Sequence, residues 1–513
     1  MPHLSENART AGSRTALIEA ETGRHTDFAT LDAMVNRTAR LLIGLGAERG
    51  GNIAICLPNI RELAVLILAA QRSGSYYTLI PSSASAKDVA YFVQDSGATL
   101  LLTDAETAGA VAAEGSVPGT VQTIALSADG AGSLEARIAD HPPVPHPAFA
   151  AGTEMNYSSG STGRPKGIRR PLPDRPWDAP DPRNVAVAAS WGIGADAVLL
   201  NTSPLYHSAP HRFLATSVEA GACHVLMHRF DAATALDAIE RWRCTHSIWV
   251  PTMFHRLLTL PDDARNARDL SSMRMAIHGA APCPVQTKQA MIDWWGPVLL
   301  EYYSGTEGIG STLITSADWL LHKGSVGKPT DSVVHILGTD ETPLPARAEG
   351  TVYFESPATF SYWKASEKTR ASISRQGWKT FGDTGYVDED GYLYLTGRNN
   401  FTINSGGVNL YPQEIEAAIL TAPGVADAVV IAIPDADFGE RAVALVQLDA
   451  AGADDAARLE ALRQQVRADL GPIKTPKAFH VVSSTQRTET GKLKRTEIRD
   501  AFLRGTIEIT ESI

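Results

Sequence analysis

The chain has 513 residues, of which 44% are hydrophobic and 20% are charged, and its formal net charge is −11. This length predicts about three structural units with a sizeable core. The acidic balance argues against a nucleic-acid partner, because phosphate backbones bind clustered Lys and Arg, so an anionic small ligand must be held locally. The sequence has no apolar run of about 18 residues and no charged-then-apolar leader, so we expect neither membrane insertion nor secretion.

The cysteines lie far apart and lack the paired spacing of a zinc site: Cys56, Cys223, Cys244 and Cys283. Isolated thiols are therefore expected rather than a metal site or a disulfide framework. This predicts a reducing compartment, the cytoplasm.

Helical and strand-like patterns alternate through the first half of the chain. Helical spacing occurs at 32–45, 62–70 and 233–242, and strand-like runs occur at 52–57, 76–80, 195–200, 224–227 and 247–250. Strands that alternate with helices predict an α/β fold with parallel sheets covered by helices. Two such sheets fit the length before residue 400. The proline-rich stretch 171–182 predicts a surface loop.

The pattern changes after Thr351 to alternating strands and turns. Strands are predicted at 351–356 and within 388–398, where Asp390-Gly391 favours a hairpin. From about Asn399 a smaller α+β unit follows, with a helix that starts at 411–414, a helix at 456–470 and strands at 428–433 and 479–482.

The most informative stretch is YSSGSTGRPKG at 157–167. Glycines and small hydroxyl residues let a backbone bend closely around phosphate oxygens, and a lysine adds positive charge. The residues that would bind phosphate are Ser158, Ser159, Gly160, Ser161, Thr162, Gly163 and Lys166. Their order differs from the G-x-x-x-x-G-K-[ST] loop. A flexible Ser/Gly linker is the alternative, but the Pro-Lys-Gly ending argues against it.

This stretch resembles the phosphate-loop signature of the adenylate-forming superfamily, which includes acyl-CoA synthetases, peptide-synthetase adenylation domains and luciferases. Further motifs resemble those of the family in the same order: HGAAPCP at 278–284, YYSGTEG at 302–308, GWKTFGD at 377–383, TGR at 396–398, SGGVNLYPQEIE at 405–416 and TETGKLKR at 488–495. The resemblance implies an N-terminal adenylation domain at 1–397 made of two helix-covered sheets and a β-rich subdomain, a hinge at 398–401, and a mobile C-terminal domain at 402–513.

The same resemblance implies roles at the nucleotide site. Glu307 would be a Mg²⁺ ligand, and Thr306 would hydrogen-bond the α-phosphate of ATP. Tyr303 would stack on the adenine. The other residues expected to line the ATP site there are Gly279, Ala280, Ala281, Tyr302, Ser304 and Gly305. Taken singly, Glu307 could equally be a surface carboxylate, and Tyr303 a half-buried core aromatic.

Asp383 and Arg398 fall on family positions that contact ribose or phosphate. The alternatives are a turn aspartate and an exposed hairpin arginine. Lys492 matches the catalytic lysine of the family, which meets negative charge as a carboxylate displaces pyrophosphate. A solvated basic tail is its alternative. Because Lys492 lies far along the chain from Arg398, its use requires the C-terminal domain to close over the larger one.

In the second step implied by the resemblance, the acyl group passes to coenzyme A, with Gly406 and Gly407 beside the pantetheine arm. The hinge departs from the family pattern, since Asn400 stands where Asp or Lys is usual and Phe401 replaces a polar residue. Asn tolerates unusual backbone angles, so rotation can survive. We therefore expect robust adenylation, and a slow CoA transfer or one that needs a partner.

The sequence says less about the identity of the acid substrate. His207, in PLYHSAPH at 204–211, falls on the substrate-side motif of the family, although a lone histidine is often structural. Small residues at 304–311 suggest room for a bulky apolar acid, such as a steroid, bile or terpenoid acid, bound by His207, Gly305, Ile309 and Gly310. Alternatives are transfer of the adenylate to a carrier or separate thioesterifying protein, and an inert nucleotide-binding homologue. A homodimer is a further expectation.

Overall fold

The computed structural model describes residues 1–158, 165–398, 401, 403–405, 408–435, 437–449, 454–488 and 493–513. The first elements in chain order are α1 (Leu4–Ala11), β1 (Thr15–Glu19), β2 (His25–Asp27), α2 (Phe28–Gly44), β3 (Asn52–Cys56), α3 (Arg61–Ser73), β4 (Tyr76–Leu79), α4 (Ala86–Ser96), β5 (Ala98–Asp104), α5 (Ala105–Glu114), β6 (Gln122–Leu126), α6 (Leu134–Ile138) and β7 (Thr153–Glu154).

The middle of the chain contains β8 (Asn156–Ser158), β9 (Lys166–Arg169), α7 (Pro182–Ser190), β10 (Val198–Asn201), α8 (Ser208–Ala220), β11 (Cys223–Leu226), α9 (Ala232–Trp242), β12 (His246–Trp249), α10 (Pro251–Leu258), α11 (Asp262–Asn266), β13 (Met275–His278), α12 (Val285–Trp295), β14 (Leu299–Ser304), β15 (Ser311–Thr315), α13 (Ser316–Leu321) and β16 (Lys328–Pro329).

The remaining elements are β17 (Val333–Leu337), β18 (Gly350–Glu355), β19 (Ser361–Tyr362), α14 (Ser366–Ala371), β20 (Asp383–Val387), β21 (Leu393–Arg398), β22 (Ile403–Ser405), β23 (Val408–Leu410), α15 (Pro412–Ile419), β24 (Val425–Asp435), β25 (Gly439–Leu448), α16 (Asp455–Lys474, broken at Gly471), β26 (Ala478–Val482), α17 (Arg495–Leu503) and β27 (Ile509–Ser512).

A five-stranded parallel sheet with order β6-β5-β3-β4-β7 forms near the N-terminus. Successive side chains of a strand point to opposite faces. Accordingly, Ile53 and Ile55 of β3 pack with residues of α2 and α3, while Ala54 and Cys56 pack with α4 and α5. Both faces of the sheet are thus covered by helices, which explains why β3 is apolar from Ile53 to Cys56 and confirms the predicted α/β pattern.

The second large sheet has nine strands in the order β16-β15-β14-β13-β12-β10-β11-β1-β2. Its central strands, from β1 to β14, run parallel, and β2, β15 and β16 pair antiparallel at the edges. The carboxyl ends of parallel strands lie at one edge of a sheet, where α/β proteins bind their ligands. The segments after β10, β12, β13 and β14 therefore meet at that edge.

Antiparallel structure follows, as the sequence predicts. Strands β17, β18, β20 and β21 form a four-stranded sheet, and β19, β9 and β8 form a smaller one. The predicted hairpin at Asp390-Gly391 is confirmed between β20 and β21. The Asp388 carboxylate accepts backbone N–H bonds from Asp390 and Tyr392, and Gly391 adopts φ +85°, so the turn is fixed locally.

The C-terminal residues form a small α+β unit with its own core. Its sheet runs β23-β22-β25-β26-β27, with β24 on β25, and its helices pack on apolar strand residues. At the junction, a Cβ added to Gly397 would lie 2.6 Å from the ring of Tyr411, so this ring rests directly on bare backbone. The fold is therefore a large N-terminal region of helix-covered sheets followed by a small α+β domain.

Three expectations concern single features of the chain. Among the described helices, none combines the length and the apolar character needed to cross a bilayer. The four cysteines are free thiols. The predicted loop at 171–182 lacks helix and strand up to Asp181, and α7 begins at Pro182, because proline fits the first turn of a helix.

Candidate active site

The segment after β13 supplies a narrow platform beside Tyr302. A Cβ on Gly279 would lie 2.7 Å from the Tyr302 ring, so only glycine fits there. Ala280 follows with φ +68°, a left-handed conformation that non-glycine residues rarely adopt. Ala280, Ala281 and Tyr302 line a large cleft. The predicted adenine-site residues of this segment thus lie together.

Tyr303 and Asp383 come from different sheets and meet in the cleft. The Tyr303 hydroxyl donates a 2.6 Å hydrogen bond to the Asp383 carboxylate, which is buried. Asp383 begins β20 and pairs in register with Arg398 of β21. The structure therefore brings together the predicted adenine residue and the predicted ribose residue, and it pairs the backbone of Arg398, predicted to contact ribose or phosphate, with Asp383.

Glu307 is held in the loop that follows β14 and is only 8% exposed. Its carboxylate accepts hydrogen bonds from the Tyr362 hydroxyl at 2.6 Å and from the Thr306 hydroxyl at 3.2 Å. A Cβ on Gly305 would lie 2.8 Å from a Glu307 oxygen, so the backbone approaches this carboxylate closely. Carboxylate and hydroxyl oxygens are ligands that suit Mg²⁺ together with substrate phosphates. The donor set at Glu307 therefore fits a magnesium ion.

The predicted phosphate segment is flanked by two anchored strands. Ser158 of β8 pairs in register with Lys166 of β9. The Tyr91 hydroxyl donates to the Pro165 carbonyl at 2.6 Å, and the Tyr157 hydroxyl donates to Asp95 at 2.8 Å. The remaining predicted phosphate residues, Ser159, Gly160, Ser161, Thr162 and Gly163, lie outside the described residues.

One wall of the cleft is built by α7 and the start of α8. His207 immediately precedes α8, and its ring lies 4.3 Å from that of Tyr206. His207, Ser304 and Gly305 line the cleft. In the described part of the chain, Ile309 and Gly310 do not line the cleft. Ile309 is fully buried in the core near Phe354, and Gly310 also packs on Phe354.

A group of charged residues that the sequence did not reveal lies at this wall, with three arginines lining the cleft and one carboxylate buried behind them. Glu154 of β7 accepts hydrogen bonds from Arg170, Arg183 and Arg212. Arg170 also donates, at 2.7 Å, to the Thr306 carbonyl next to Glu307. The position of Arg170 three residues after the Gly167 motif was the available signal, but Glu154 lies before that motif and gave none.

A buried ion pair that the sequence did not reveal lies at β14. Lys288 and Glu301 form a 2.6 Å ion pair that is essentially inaccessible to water. Burial raises the pKa of Glu301, although Lys288 opposes this shift. Because Glu301 precedes Tyr302 and Tyr303 on β14, this pair fixes the strand that carries the site.

The small domain contributes to the same cleft. Phe401, Tyr411 and Arg487 line it together with the N-terminal residues, and its volume is about 2620 Å³, far larger than the 300–1,000 Å³ of a usual small-ligand pocket. The Arg495 guanidinium lies 6.0 Å from the Phe401 ring. Asn400, Gly406, Gly407 and Lys492 lie outside the described residues. The cleft has room for a nucleotide and a second substrate.

Comparisons with known proteins agree with this architecture. A family model described as AMP-binding enzyme matches residues 4–363, and one described as AMP-binding enzyme C-terminal domain matches 414–492. A long-chain-fatty-acid–CoA ligase (FadD13) of Mycobacterium tuberculosis is 30% identical, covering 97% of each chain. A sulfoacetate–CoA ligase of Cupriavidus necator is 29% identical, covering 94% of each. The solved o-succinylbenzoate CoA synthetase (MenE) of Bacillus subtilis, in complex with its acyl-adenylate intermediate, has a TM-score of 0.80 at 26% identity and 98% coverage of both chains.

Proposed function

The chain belongs to the AMP-binding enzyme family and is an AMP-forming acid–thiol ligase, and we propose that its cleft joins a carboxylic acid to ATP through Glu307 and its neighbours. The observation that carries this proposal is the Glu307 carboxylate, held by Tyr362 and Thr306 on the same side of the cleft as the Tyr303–Asp383 pair. These residues place a nucleotide and a metal-binding carboxylate side by side. The products of the first step are acyl-AMP and pyrophosphate.

Each residue has a distinct task in this step. Asp383 accepts hydrogen bonds from the ribose, and Tyr303 covers the base. When ATP binds, the Thr306 hydroxyl turns from Glu307 to donate to the α-phosphate, and Glu307 would hold the metal. A magnesium ion held by Glu307 would supply positive charge against the phosphate oxygens. Lys492 supplies positive charge to the attacking carboxylate and the α-phosphate.

Thioester formation with coenzyme A uses the same site in a second arrangement. We place the mobile domain at 402–513, the adenylation domain at 1–397 and the pivot at 398–401, with Gly406 and Gly407 beside the pantetheine arm. Tyr411 packs on the bare backbone of Gly397, and this close approach at the boundary of the two units supports the placement. The substitution of the usual pivot residues by Asn400 and Phe401 favours a slow transfer or a carrier or thioesterifying partner.

The acid is a bulky molecule with an apolar body. Support comes from the wall of α7 and α8, where Val187, Trp191 and Tyr206 line the cleft. His207 closes this pocket toward the reacting carboxylate. Gly305 lines it as well, whereas the predicted contacts of Ile309 and Gly310 with the acid require a rearrangement of the loop after β14.

Acid-dependent ATP–pyrophosphate exchange tests the proposal. Fatty, aryl and polycyclic acids are screened with and without CoA, and exchange with at least one acid is expected. Lys492→Ala should abolish exchange while sparing CoA transfer from a preformed acyl-AMP. Absence of exchange with every acid would indicate an inert nucleotide-binding homologue. Equal loss of both half-reactions in K492A would contradict the role given to Lys492.

Two further proposals concern the setting of the enzyme. Free thiols at all four cysteines support a cytoplasmic location, where disulfides are rare. A homodimer is testable by light scattering of the purified protein, and a mass equal to one chain would exclude it.

A further inference from the structure

Three guanidinium groups converge on one buried carboxylate behind the acyl wall. Arg170, Arg183 and Arg212 approach the same Glu154 oxygen at 3.1, 3.4 and 3.0 Å. The other Glu154 oxygen accepts a hydrogen bond from the Thr153 hydroxyl at 3.0 Å. Glu154 is only 5% exposed, so one carboxylate in a nearly dry site faces three cations.

The charges in this group do not cancel. Asp181 pairs with Arg183 at 2.8 Å, which brings the count to three positive charges against two negative ones. Burial lowers the pKa of His211 to about 4, so this neighbour is neutral. Two further ionisable residues lie just outside the group. Arg175 lies 3.9 Å from Asp181, and burial raises the pKa of Glu219 to about 7. Arg175 and Glu219 together therefore add no net negative charge. Within this group the positive charges outnumber the negative ones by one, and the next carboxylate is Glu307, which attracts Arg170 rather than Arg183 or Arg212.

The pKa values of the group reflect this imbalance. Burial opposes ionisation of Glu154, yet Arg183, Arg212 and Arg170 together hold its pKa well below the ordinary range. Burial also lowers the pKa of Arg170, and repulsion from Arg183 and Arg212 adds to this while Glu154 opposes it. Burial opposes the charge on Arg183 as well, yet Glu154 and Asp181 raise its pKa, so the repulsion falls on Arg170, and a further anion near Arg183 and Arg212 would offset it.

The excess charge faces the cleft. Arg183 lies on the first turn of α7 and Arg212 on α8, and both line the cleft on the wall that carries His207. Arg183 is 40% exposed and Arg212 is 23% exposed, whereas Glu154 is covered. Arg212 uses one terminal nitrogen for Glu154 and the other for Asn184. A guanidinium has five N–H groups, so donors remain for a ligand.

We propose that the acyl pocket takes an acid whose far end carries a second anionic group, a carboxylate or a sulfonate, bound by Arg212 and Arg183. This inference rests on the proposed function and specifies its substrate. The reacting carboxylate lies near His207 and Thr306, the apolar body contacts Val187 and Trp191, and the distal anion completes the charge of the arginine group. Guanidiniums bind carboxylates and sulfonates by paired hydrogen bonds, which suits a charged terminus over a neutral one.

Matched acids test this proposal. Each pair has the same body and length and ends either in a carboxylate or in a carboxamide, which has the same shape without the charge. Exchange is measured as kcat/KM for both members across several lengths. Wild-type protein should prefer the carboxylate by about 10-fold to 100-fold, as expected for hydrogen bonds between charged partners. Arg212→Gln and Arg183→Gln should each reduce this ratio toward one.

Arg268→Gln is the matched control, because Arg268 pairs with Asp237 on the protein surface and does not line the cleft. It should leave the ratio unchanged. A ratio near one in wild-type protein, or a ratio that neither R212Q nor R183Q alters, would overturn the proposal. Calorimetric binding of non-hydrolysable acyl-sulfamoyl adenosines with the same two termini gives the ratio without turnover. Binding therefore tests the distal anion site even if no acid supports exchange. Failure of exchange with every acid would count against the proposed function instead.

Discussion

The Tyr362 hydroxyl donates a 2.6 Å hydrogen bond to the Glu307 carboxylate and thereby ties β19 to the loop after β14. A partner that orients a metal-binding carboxylate typically changes metal affinity or activity by about 10–100-fold. Tyr362→Phe should therefore raise the Mg²⁺ concentration for half-maximal exchange by about 10-fold or more, and high Mg²⁺ should restore much of the rate. Tyr392→Phe, which lies outside the cleft, is the control. An unchanged Mg²⁺ dependence in Y362F would argue against a metal at Glu307.

The Tyr303–Asp383 hydrogen bond gives a second prediction, concerning the nucleotide. Hydrogen bonds to charged groups contribute about 1.5–3 kcal/mol, which is about 10-fold to 100-fold in affinity. Tyr303→Phe keeps the ring but removes the donor that positions Asp383, so the KM for ATP should rise by about 10-fold. The KM for the acid should change little. If the KM for the acid rises by the same factor, Tyr303 does not act on the nucleotide alone.

Glu219 predicts a pH dependence of stability. Burial raises its pKa from 4.5 to about 7. Between these values the folded protein holds a proton that the unfolded chain releases, so stability falls as pH rises through this window, by up to about 3 kcal/mol. Glu219→Gln should remove that loss, because the amide oxygen can still accept the Asp181 N–H bond. Its melting temperature should match wild type near pH 5 and exceed it at pH 8.

Glu106→Gln on the exposed side of α5 is the control for this experiment. It should leave the difference between pH 5 and pH 8 unchanged. Equal melting temperatures of wild-type and E219Q protein at both pH values would show that Glu219 ionises normally in the folded state.

The Lys288–Glu301 pair predicts an asymmetric response to substitution. Removing one partner of a buried ion pair leaves an uncompensated charge and costs about 3–5 kcal/mol. Lys288→Met should therefore lower the urea midpoint strongly, since burial already raises the pKa of Glu301. The double substitution Lys288→Met with Glu301→Leu should recover much of the loss. If the double variant is as unstable as K288M, the pair contributes through packing rather than charge.

The elements of this fold were predictable where periodicity is local. The alternating apolar runs placed β3, β4, β11 and β12 within a few residues, and Asp390-Gly391 marked its hairpin, because such signals depend on neighbouring residues only. The motifs also placed Tyr303 and Asp383 in one site, and the two side chains form a hydrogen bond in the cleft. Their roles in binding ATP stay predictions.

The arginine group was not predictable in this way. Glu154, Arg170, Arg183 and Arg212 come from β7, the loop after β9, α7 and α8, and only the order of strands and the packing of α7 on α8 bring them together. Similarly, the spacing around Ile309 could not show which way its side chain points. The packing of Ile309 into the core near Phe354 depends on how β14 returns into β15.

Arg170 links the two halves of the site through one side chain, with one terminal nitrogen on Glu154 and the other on the Thr306 carbonyl. A Cβ on Gly308 would come within 2.7 Å of the Arg170 guanidinium, so the backbone of the loop around Glu307 packs closely against this side chain. Under the proposed function, a substitution at the arginine group that suits another acid would also shift the loop around Glu307. Acid preference and ATP binding would then be coupled through Arg170.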